Sequence, residues 1–330
     1  MRKKAFFAYI CRKCFFYARD IDICIFCGII NGNNKTAARF RRAGILKRKV
    51  KAMKRVLTIQ DISCVGKCSL TVALPIISAM GVETAVLPTA VLSTHTQFSG
   101  FTFRDLTDDM IPIADHWQKE NLTFDAVYTG YLGSERQIDI VADIFGRFGG
   151  GETKIVVDPA MADNGVLYKG FKPEFPAAMF KLCGKADIIL PNLTEAAFML
   201  GVPYPGENYD EAYIRKMLVD LTSSGARVSV LTGVSFEKGK LGVMAYDSAA
   251  GEYFSYFADR LPAAFHGTGD IFASAFTGAL SGGMSVEDSL KVAVDYTVEC
   301  IRVTLESGSE CWYGVEFEKC IPFLVKRISG

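Results

Sequence analysis

Histidine is scarce in this chain, with 3 in 330 residues, and no apolar run is long enough to cross a bilayer. His95, His116 and His266 cannot build a histidine-rich metal centre. His95 and His266 instead read as hydrogen-bonding loop residues, because no third ligand stands near them in sequence. Acidic residues are almost missing from residues 1–52, where fourteen Lys and Arg face only Asp20 and Asp22. Subtracting these from totals of 37 basic and 36 acidic leaves 23 basic and 34 acidic residues in the remainder. That acidic remainder is expected to avoid nucleic acid and anionic membrane surfaces.

The first 52 residues also lack regular helical or strand periodicity, and their apolar stretches are broken by Arg and Lys. They show neither the long apolar region nor the small-residue cleavage site of a secretory signal, and their serine poverty argues against a transit peptide. Cys11 with Cys14 and Cys24 with Cys27 form two CxxC pairs of a kind that can hold zinc, although the nine-residue gap is shorter than in common zinc modules. The plainer expectation is a basic, disordered or non-native N-terminal extension over 1–52, with Met53 as the natural start. Cys64, Cys68, Cys183, Cys300, Cys311 and Cys320 show no CxxC spacing. They read as reduced thiols of a reducing compartment, which places the protein in the cytoplasm.

Residues 53–330 contain neither an internal repeat nor a low-complexity linker, so one domain is expected. Short β-rich runs alternate with longer helical patterns, the signature of a parallel sheet covered by helices. Strands are expected over Arg55–Gln60, Thr84–Leu87, Ala126–Thr129, Lys154–Asp158, Asp187–Leu190 and Arg227–Leu231. Helices are expected over Leu70–Met80, Thr107–Glu120, Glu135–Phe145, Glu174–Leu182, Thr194–Leu200 and Asp210–Ser223. Leu241–Tyr246 and Glu252–Phe257 should then pair antiparallel at one margin, and three helices near Asp270–Leu280, Val286–Thr304 and Val315–Lys326 should follow. The result is a three-layer α/β/α sandwich with a mostly parallel central sheet. Its ligand site belongs beyond the carboxyl ends of the strands, where Gln60-Asp61, Pro88-Thr89, Thr129-Gly130, Asp158-Pro159, Pro191-Asn192 and Thr232-Gly233 are expected to line a rim.

The sharpest signal is His266-Gly267-Thr268-Gly269-Asp270, running straight into an apolar helix. Two glycines allow a tight turn that exposes consecutive N–H groups, and at a helix N-terminus these attract a phosphate or its transition state. Asp270 stands where it can take a proton from an attacking alcohol, or else it merely caps the helix. Lys67 after Gly66 suggests a P-loop, but Asp61 and Cys68 occupy positions that a P-loop gives to Gly and to Ser or Thr.

The Gly267 to Asp270 run resembles the anion-hole and base motif of the ribokinase superfamily, and Asn192-Leu193-Thr194-Glu195 resembles its Asn-x-x-Glu motif. Three further segments resemble the pyridoxal kinases: Leu92 to Phe98, Thr129 to Ser134, and Asp158-Pro159-Ala160-Met161-Ala162-Asp163. The resemblance covers about Arg55 to the end. It implies a ribokinase-like fold and ATP-dependent phosphorylation of the 5'-hydroxymethyl group of a B6 vitamer (pyridoxal, pyridoxamine or pyridoxine). It implies Asp270 as general base, with the backbone of Gly267, Thr268 and Gly269 cradling the phosphoryl group. Asp61, Thr96, Gln97 and Tyr131 would face the vitamer, and Asp158, Asp163, Tyr168, Asn192, Glu195 and Thr232 would serve ATP and magnesium. Glu195 would hold the Mg2+ through water, a monovalent cation is a further candidate cofactor, and a homodimer is expected. Asp61 stands where well-known relatives have Ser, and Thr232 where some have Lys. Two alternatives remain open, a hydroxymethylpyrimidine or hydroxymethylpyrimidine phosphate kinase of the same superfamily, and a catalytically silent ligand-binding relative.

Overall fold

A computed structural model describes residues 53–308 and 311–329. The expectations for residues 1–52, including the four-cysteine zinc site, lie outside the described residues. Met53–Gly330 forms one compact unit, and its elements follow the alternation of apolar runs. They are β1 (Arg55–Val65), α1 (Leu70–Ala79), β2 (Glu83–Thr94), β3 (Phe103–Asp105), α2 (Thr107–Lys119), β4 (Ala126–Thr129), α3 (Glu135–Phe148) and β5 (Lys154–Val157). Next come β6 (Ala162–Asp163), β7 (Val166–Leu167), α4 (Phe175–Cys183), β8 (Ile188–Ile189), α5 (Leu193–Leu200), α6 (Glu211–Thr222) and β9 (Val228–Val234). The chain closes with β10 (Lys240–Asp247), β11 (Glu252–Asp259), α7 (Thr268–Gly282), α8 (Val286–Ser307) and α9 (Phe317–Ser329).

Nine strands form one sheet in the order β11-β10-β9-β8-β5-β4-β1-β2-β3. The six from β9 to β2 run parallel, and antiparallel strands flank them, β10 and β11 at one edge and β3 at the other. Central parallel strands are covered on both faces, so successive side chains enter two different cores. Leu57, Ile59, Val127, Val157 and Ile189 face the core shared with α2 to α6. Val56, Ala126, Tyr128, Val156 and Ile188 face the core shared with α1, α7, α8 and α9. This is the three-layer sandwich expected from the sequence.

Two features that position the site differ from the expectation. Gln60-Asp61 and Pro88-Thr89 are not strand ends, since β1 continues to Val65 and β2 to Thr94. β4 stops pairing with β1 at Ile59↔Thr129, whereas β1 and β2 stay paired to Val65↔Thr94, with a register shift between Gln60 and Ile62. β3 pairs with Ala90 to Leu92 and extends this projection. Asp61 therefore lies in a strand that overhangs the carboxyl edge of β4 and β5. The second feature is the β6–β7 hairpin, turned by Asn164 and Gly165 at φ 50 and 77.

Candidate active site

The nest is built where the loop from β11 enters α7. Gly267 is the N-cap of α7 in the left-handed conformation, at φ 80 and ψ 1, and no side chain caps that end. The first N–H groups of α7 are thus left for a ligand, as an anion site requires. The nest packs against the Gly66–Ser69 turn so closely that a Cβ on Gly267 would lie 1.8 Å from the Lys67 carbonyl oxygen. Asp270 is the third residue of α7 and does not cap it.

The Asp270 residue keeps partial solvent access, as a group facing a cleft does, but protein atoms surround its carboxyl group closely enough to strip most of its hydration. Burial pushes its pKa up to about 7, the charge of Asp61 adds to the rise, and the Ser69 backbone N–H opposes it. Burial and the neighbouring charge act in the same sense, both against ionisation. A carboxylate with a pKa near neutrality is well matched to general-base work.

Asp61 is buried and accepts from the Ser63 hydroxyl at 2.9 Å. Burial raises its pKa, against hydrogen bonds from Ser69 and Ser63 and the nearby His95. The charge of Asp61 also raises the pKa of Tyr131, after burial. Asp61, Tyr131, His95 and Asp270 therefore share one neighbourhood, drawn from β1, the turn after β4, the end of β2 and α7. Gln97 and Thr96 lie at its exposed rim, and the Gln97 amide reaches His266 Nδ1 at 3.3 Å.

An aromatic wall closes one side. His95 approaches His266 at 4.4 Å and Phe98 at 4.9 Å between ring centroids, and Phe98 approaches Trp312 at 4.5 Å and Tyr313 at 5.8 Å. His95 Nδ1 accepts from the Gln97 backbone N–H at 3.3 Å, so Nε2 carries the proton and donates to the Tyr313 carbonyl at 3.1 Å. Burial lowers the pKa of both imidazoles, that of His266 to about 4, so both are neutral at pH 7.

On the other side of Asp270 lies a cluster of acids. Asp158, just past β5, has its pKa raised by burial and then by the charges of Glu195 and Asp270. Asp158 Oδ1 accepts from the Ala160 N–H at 3.2 Å, and Oδ2 has no partner among the described residues. Tyr168 borders the same cluster, its phenol pKa raised by burial and then by Glu195, Asp163, Asp158 and Asp270. Asp163 sits at the exposed tip, its two oxygens held by the backbone and side chain of Asn164 at 2.9 and 3.0 Å.

Compared with known proteins, residues 73–313 match the phosphomethylpyrimidine kinase family. The chain belongs to this family. Its structure is similar to that of a Bacteroides thetaiotaomicron protein, named as a phosphomethylpyrimidine kinase, in a crystal form with pyridoxal. The identity is 41%, the TM-score 0.78, and the match covers 82% of this chain and 96% of that one. It is also similar to the pyridoxal kinase of Lactobacillus plantarum, at 31% identity and TM-score 0.75, covering 83% and 98% of the two chains. In sequence it is 27% identical to the hydroxymethylpyrimidine/phosphomethylpyrimidine kinase of Rhizobium meliloti over 70% of this chain and 84% of that protein.

In this kinase the Asn-x-x-Glu motif does more local work than its sequence implies. Glu195 is buried and forms a capping box with Asn192. Its Oε1 accepts from Met161 N–H at 2.9 Å and Ala162 N–H at 3.4 Å, and its Oε2 from Asn192 N–H at 2.9 Å. Asn192 donates from Nδ2 to the Ala162 carbonyl at 2.8 Å, and Thr194 accepts from Gly165 N–H at 3.0 Å. The pair thus clamps the β6–β7 hairpin beside the acid cluster. Burial still raises Glu195 to about 7 despite these three donors. Thr232 bridges to Asn192 across the sheet. Lys67, the P-loop-like lysine, pairs with Glu318 and lies over the Phe317 ring, 5.2 Å from its centroid.

Hard oxygen donors are the chemistry that magnesium prefers, and Mg2+ commonly keeps several waters while binding one or two carboxylates and substrate phosphates. Asp158, with one uncommitted oxygen amid repelling carboxylates, fits that requirement better than Glu195, whose oxygens already serve backbone amides. Among the described residues no set of three His, Cys, Asp or Glu side chains could enclose a metal.

Gln60, expected at the rim, is instead fully buried with its amide unpartnered, and sequence reasoning missed Tyr128, fully buried with its hydroxyl unpartnered. A tyrosine inside an apolar run gave the only signal. It also missed Trp312 and Tyr313, whose place in the wall depends on tertiary folding.

Proposed function

We propose that this kinase transfers the γ-phosphoryl group of ATP to the 5'-hydroxymethyl group of a B6 vitamer, and so acts as a pyridoxal kinase. The observation that carries the reading is the placement of Asp270 in the first turn of α7, one residue past a glycine-built nest and with a pKa near neutrality. The vitamer preference is supported by similarity to a protein crystallised with pyridoxal and to a pyridoxal kinase. A hydroxymethylpyrimidine substrate is the second reading, favoured by the family match itself and by the Rhizobium relative.

Asp270 takes the proton of the hydroxymethyl group as its oxygen attacks phosphorus. The N–H groups at the start of α7 hold the equatorial oxygens of the moving phosphoryl group, and the P–O bond to the leaving diphosphate breaks. Asp158 would hold magnesium, which would supply charge neutralisation for the phosphates. Glu195 and Asn192 keep the 160–165 turn in register with that group. Tyr131 and the aromatic wall exclude water and orient the pyridine ring, with Asp61 at its polar edge. An assay of ADP release across pyridoxal, pyridoxamine, pyridoxine and hydroxymethylpyrimidine tests the reading. Turnover only of hydroxymethylpyrimidine would transfer the assignment to the rival, and turnover of none would remove both.

The free enzyme's kcat/KM should rise with pH through an acid limb near 7. Asp270 must be ionised to accept a proton, and its pKa stands at about 7. Asp61, Asp158, Cys68, Tyr128 and Tyr168 face Asp270, so the limb belongs to the coupled carboxylates as a set. A profile flat from pH 5.5 to 8.5 would exclude Asp270 as the base.

Asp61 makes a prediction about substrate charge. It is a buried carboxylate held by two serines, with no Lys or Arg paired to it among the described residues. A substrate amine would supply the missing cation, so the kcat/KM ratio of pyridoxamine over pyridoxine should fall about tenfold in Asp61→Ser, the size of one charge-assisted hydrogen bond. An unchanged ratio would separate Asp61 from vitamer choice.

A further inference from the structure

α7 carries a line of polar side chains that the chemistry above leaves unused. Four, seven and eleven residues after Asp270 come Ser274, Thr277 and Ser281, a spacing that keeps them on one helix face. Ser274 and Thr277 are fully buried, and none of the three hydroxyls completes a hydrogen bond of ordinary geometry. Four hydroxyls on other described helices bond to their own helix backbone. Ser289, Thr297, Thr304 and Ser329 each donate to the carbonyl four residues back, at 2.7, 2.8, 2.7 and 2.7 Å. The stripe on α7 breaks that local habit three times in succession.

The sheet opposite is polar in the same place. Thr58 and Gln60 of β1 and Tyr128 of β4 are 0% exposed, and each leaves polar atoms unpartnered. Thr58 and Tyr128 are cross-strand partners, and α7 packs on both strands. Ser274 and Gln60 approach the Tyr128 hydroxyl without completing a hydrogen bond of ordinary geometry, and burial, then the charges of Asp158 and Asp270, oppose its ionisation. Tyr128 therefore aims its hydroxyl at the stripe, close behind the base. Orphaned buried groups at this density are costly when dry. Buried polar groups left without protein partners are commonly satisfied by an ordered water with about two to four polar partners.

We propose that ordered water fills the seam between α7 and strands β1 and β4, and that it carries the proton from Asp270 past Tyr128 and Ser274 towards Ser281. The inference rests on Asp270 being the base. After phosphoryl transfer Asp270 holds the alcohol's proton while product and nucleotide occupy the cleft in front of it, which leaves the rear of the helix as the way out. Asp270 gives that proton to the first water, each water accepts one proton and passes one on, and a proton leaves past the buried Ser281 hydroxyl at Gly282, which is exposed. Only O–H bonds form and break, Asp270 returns to its charged form, and no co-reactant is needed.

A high-resolution crystal structure of the full chain should show ordered waters bonded to Tyr128 and Ser274, and a dry seam would overturn the proposal without any variant. In the Ser274→Ala/Thr277→Val double variant, which keeps the helix and nearly all the volume, kcat should fall about tenfold, the scale of one lost hydrogen-bonded link. KM for ATP should not change, and the solvent deuterium isotope effect on kcat should grow. Tyr128→Phe should behave alike. Variants that fold normally and keep the parental kcat and isotope effect would refute the route and leave the proposed function intact. A wild-type protein that phosphorylates none of the four alcohols would instead remove the base itself and the route with it.

Discussion

Replacing Asp270 with asparagine is expected to lower kcat by about two to four powers of ten, the usual contribution of a positioned general base, with the KM for ATP little changed. The substitution is isosteric. Its carbonyl oxygen can still accept from the Ser69 backbone N–H, so the turn of α7 against the Gly66–Ser69 loop is preserved. What disappears is an acceptor for the alcohol's proton. Steady-state kinetics decide the matter, and a variant with near-native kcat would remove Asp270 from the mechanism.

The same substitution has a stability signature of opposite sign. The folded-state pKa of Asp270 is raised to about 7, above its ordinary value of 3.8. Such a group contributes its stability below the unfolded pKa and loses it as pH rises through the folded one. An asparagine does not titrate, so the melting temperature of the Asp270→Asn variant relative to wild type should climb between about pH 4 and 7 and level off above. A constant difference across that range would mean that the carboxyl group is hydrated in the native state.

Gly267→Ala is expected to damage both fold and rate. The backbone there is left-handed, which costs a residue with a Cβ about 1–2 kcal/mol before any contact is counted. The added methyl would meet the Lys67 carbonyl oxygen at 1.8 Å, the Lys67 carbonyl carbon at 2.9 Å and the Cys68 Cα at 3.4 Å. All three are backbone atoms, so no rotamer change relieves the clash, and the N-terminus of α7 must lift away from the turn beneath it. Its donors then no longer point where phosphoryl charge develops, a loss of about 10²–10³ in kcat by analogy with removing one oxyanion donor. Gly269→Ala is the control for stability, because a Cβ there meets nothing within 4 Å. Melting curves of the two variants should separate widely, and equal melting temperatures would show that the nest tolerates displacement.

Much of this architecture can be read from residue order. Apolar runs spaced for a covered parallel sheet located six strands and their helices, and the paired runs Leu241–Tyr246 and Glu252–Phe257 located the hairpin of β10 and β11. The Gly-Thr-Gly-Asp run located the nest. What escaped was set by pairing across distance. Phe103–Asp105 is three exposed residues long, too short for any periodicity, and is a strand only because Ala90 to Leu92 offers it an edge. The overhang of β1 past Ile59 depends on where β4 stops, which lies in another part of the chain. Asn192 and Glu195 read as metal and phosphate ligands, yet the geometry engages them with the 160–165 turn, because a buried carboxylate at a helix start first satisfies nearby amides. The polar stripe on α7 has no signature in residue order, because its burial and its unpartnered hydroxyls come from packing against β1 and β4.

The contact of His95 with Tyr313 spans 218 positions of sequence. One side of the cleft is therefore finished by a stretch that leaves the ribosome long after the parallel strands have emerged. While the polypeptide is still being synthesised, the sheet can assemble but has no complete enclosure for its small molecule. On the proposed function, products ending before residue 313 would lack the carbonyl that holds His95 and with it one side of the cleft.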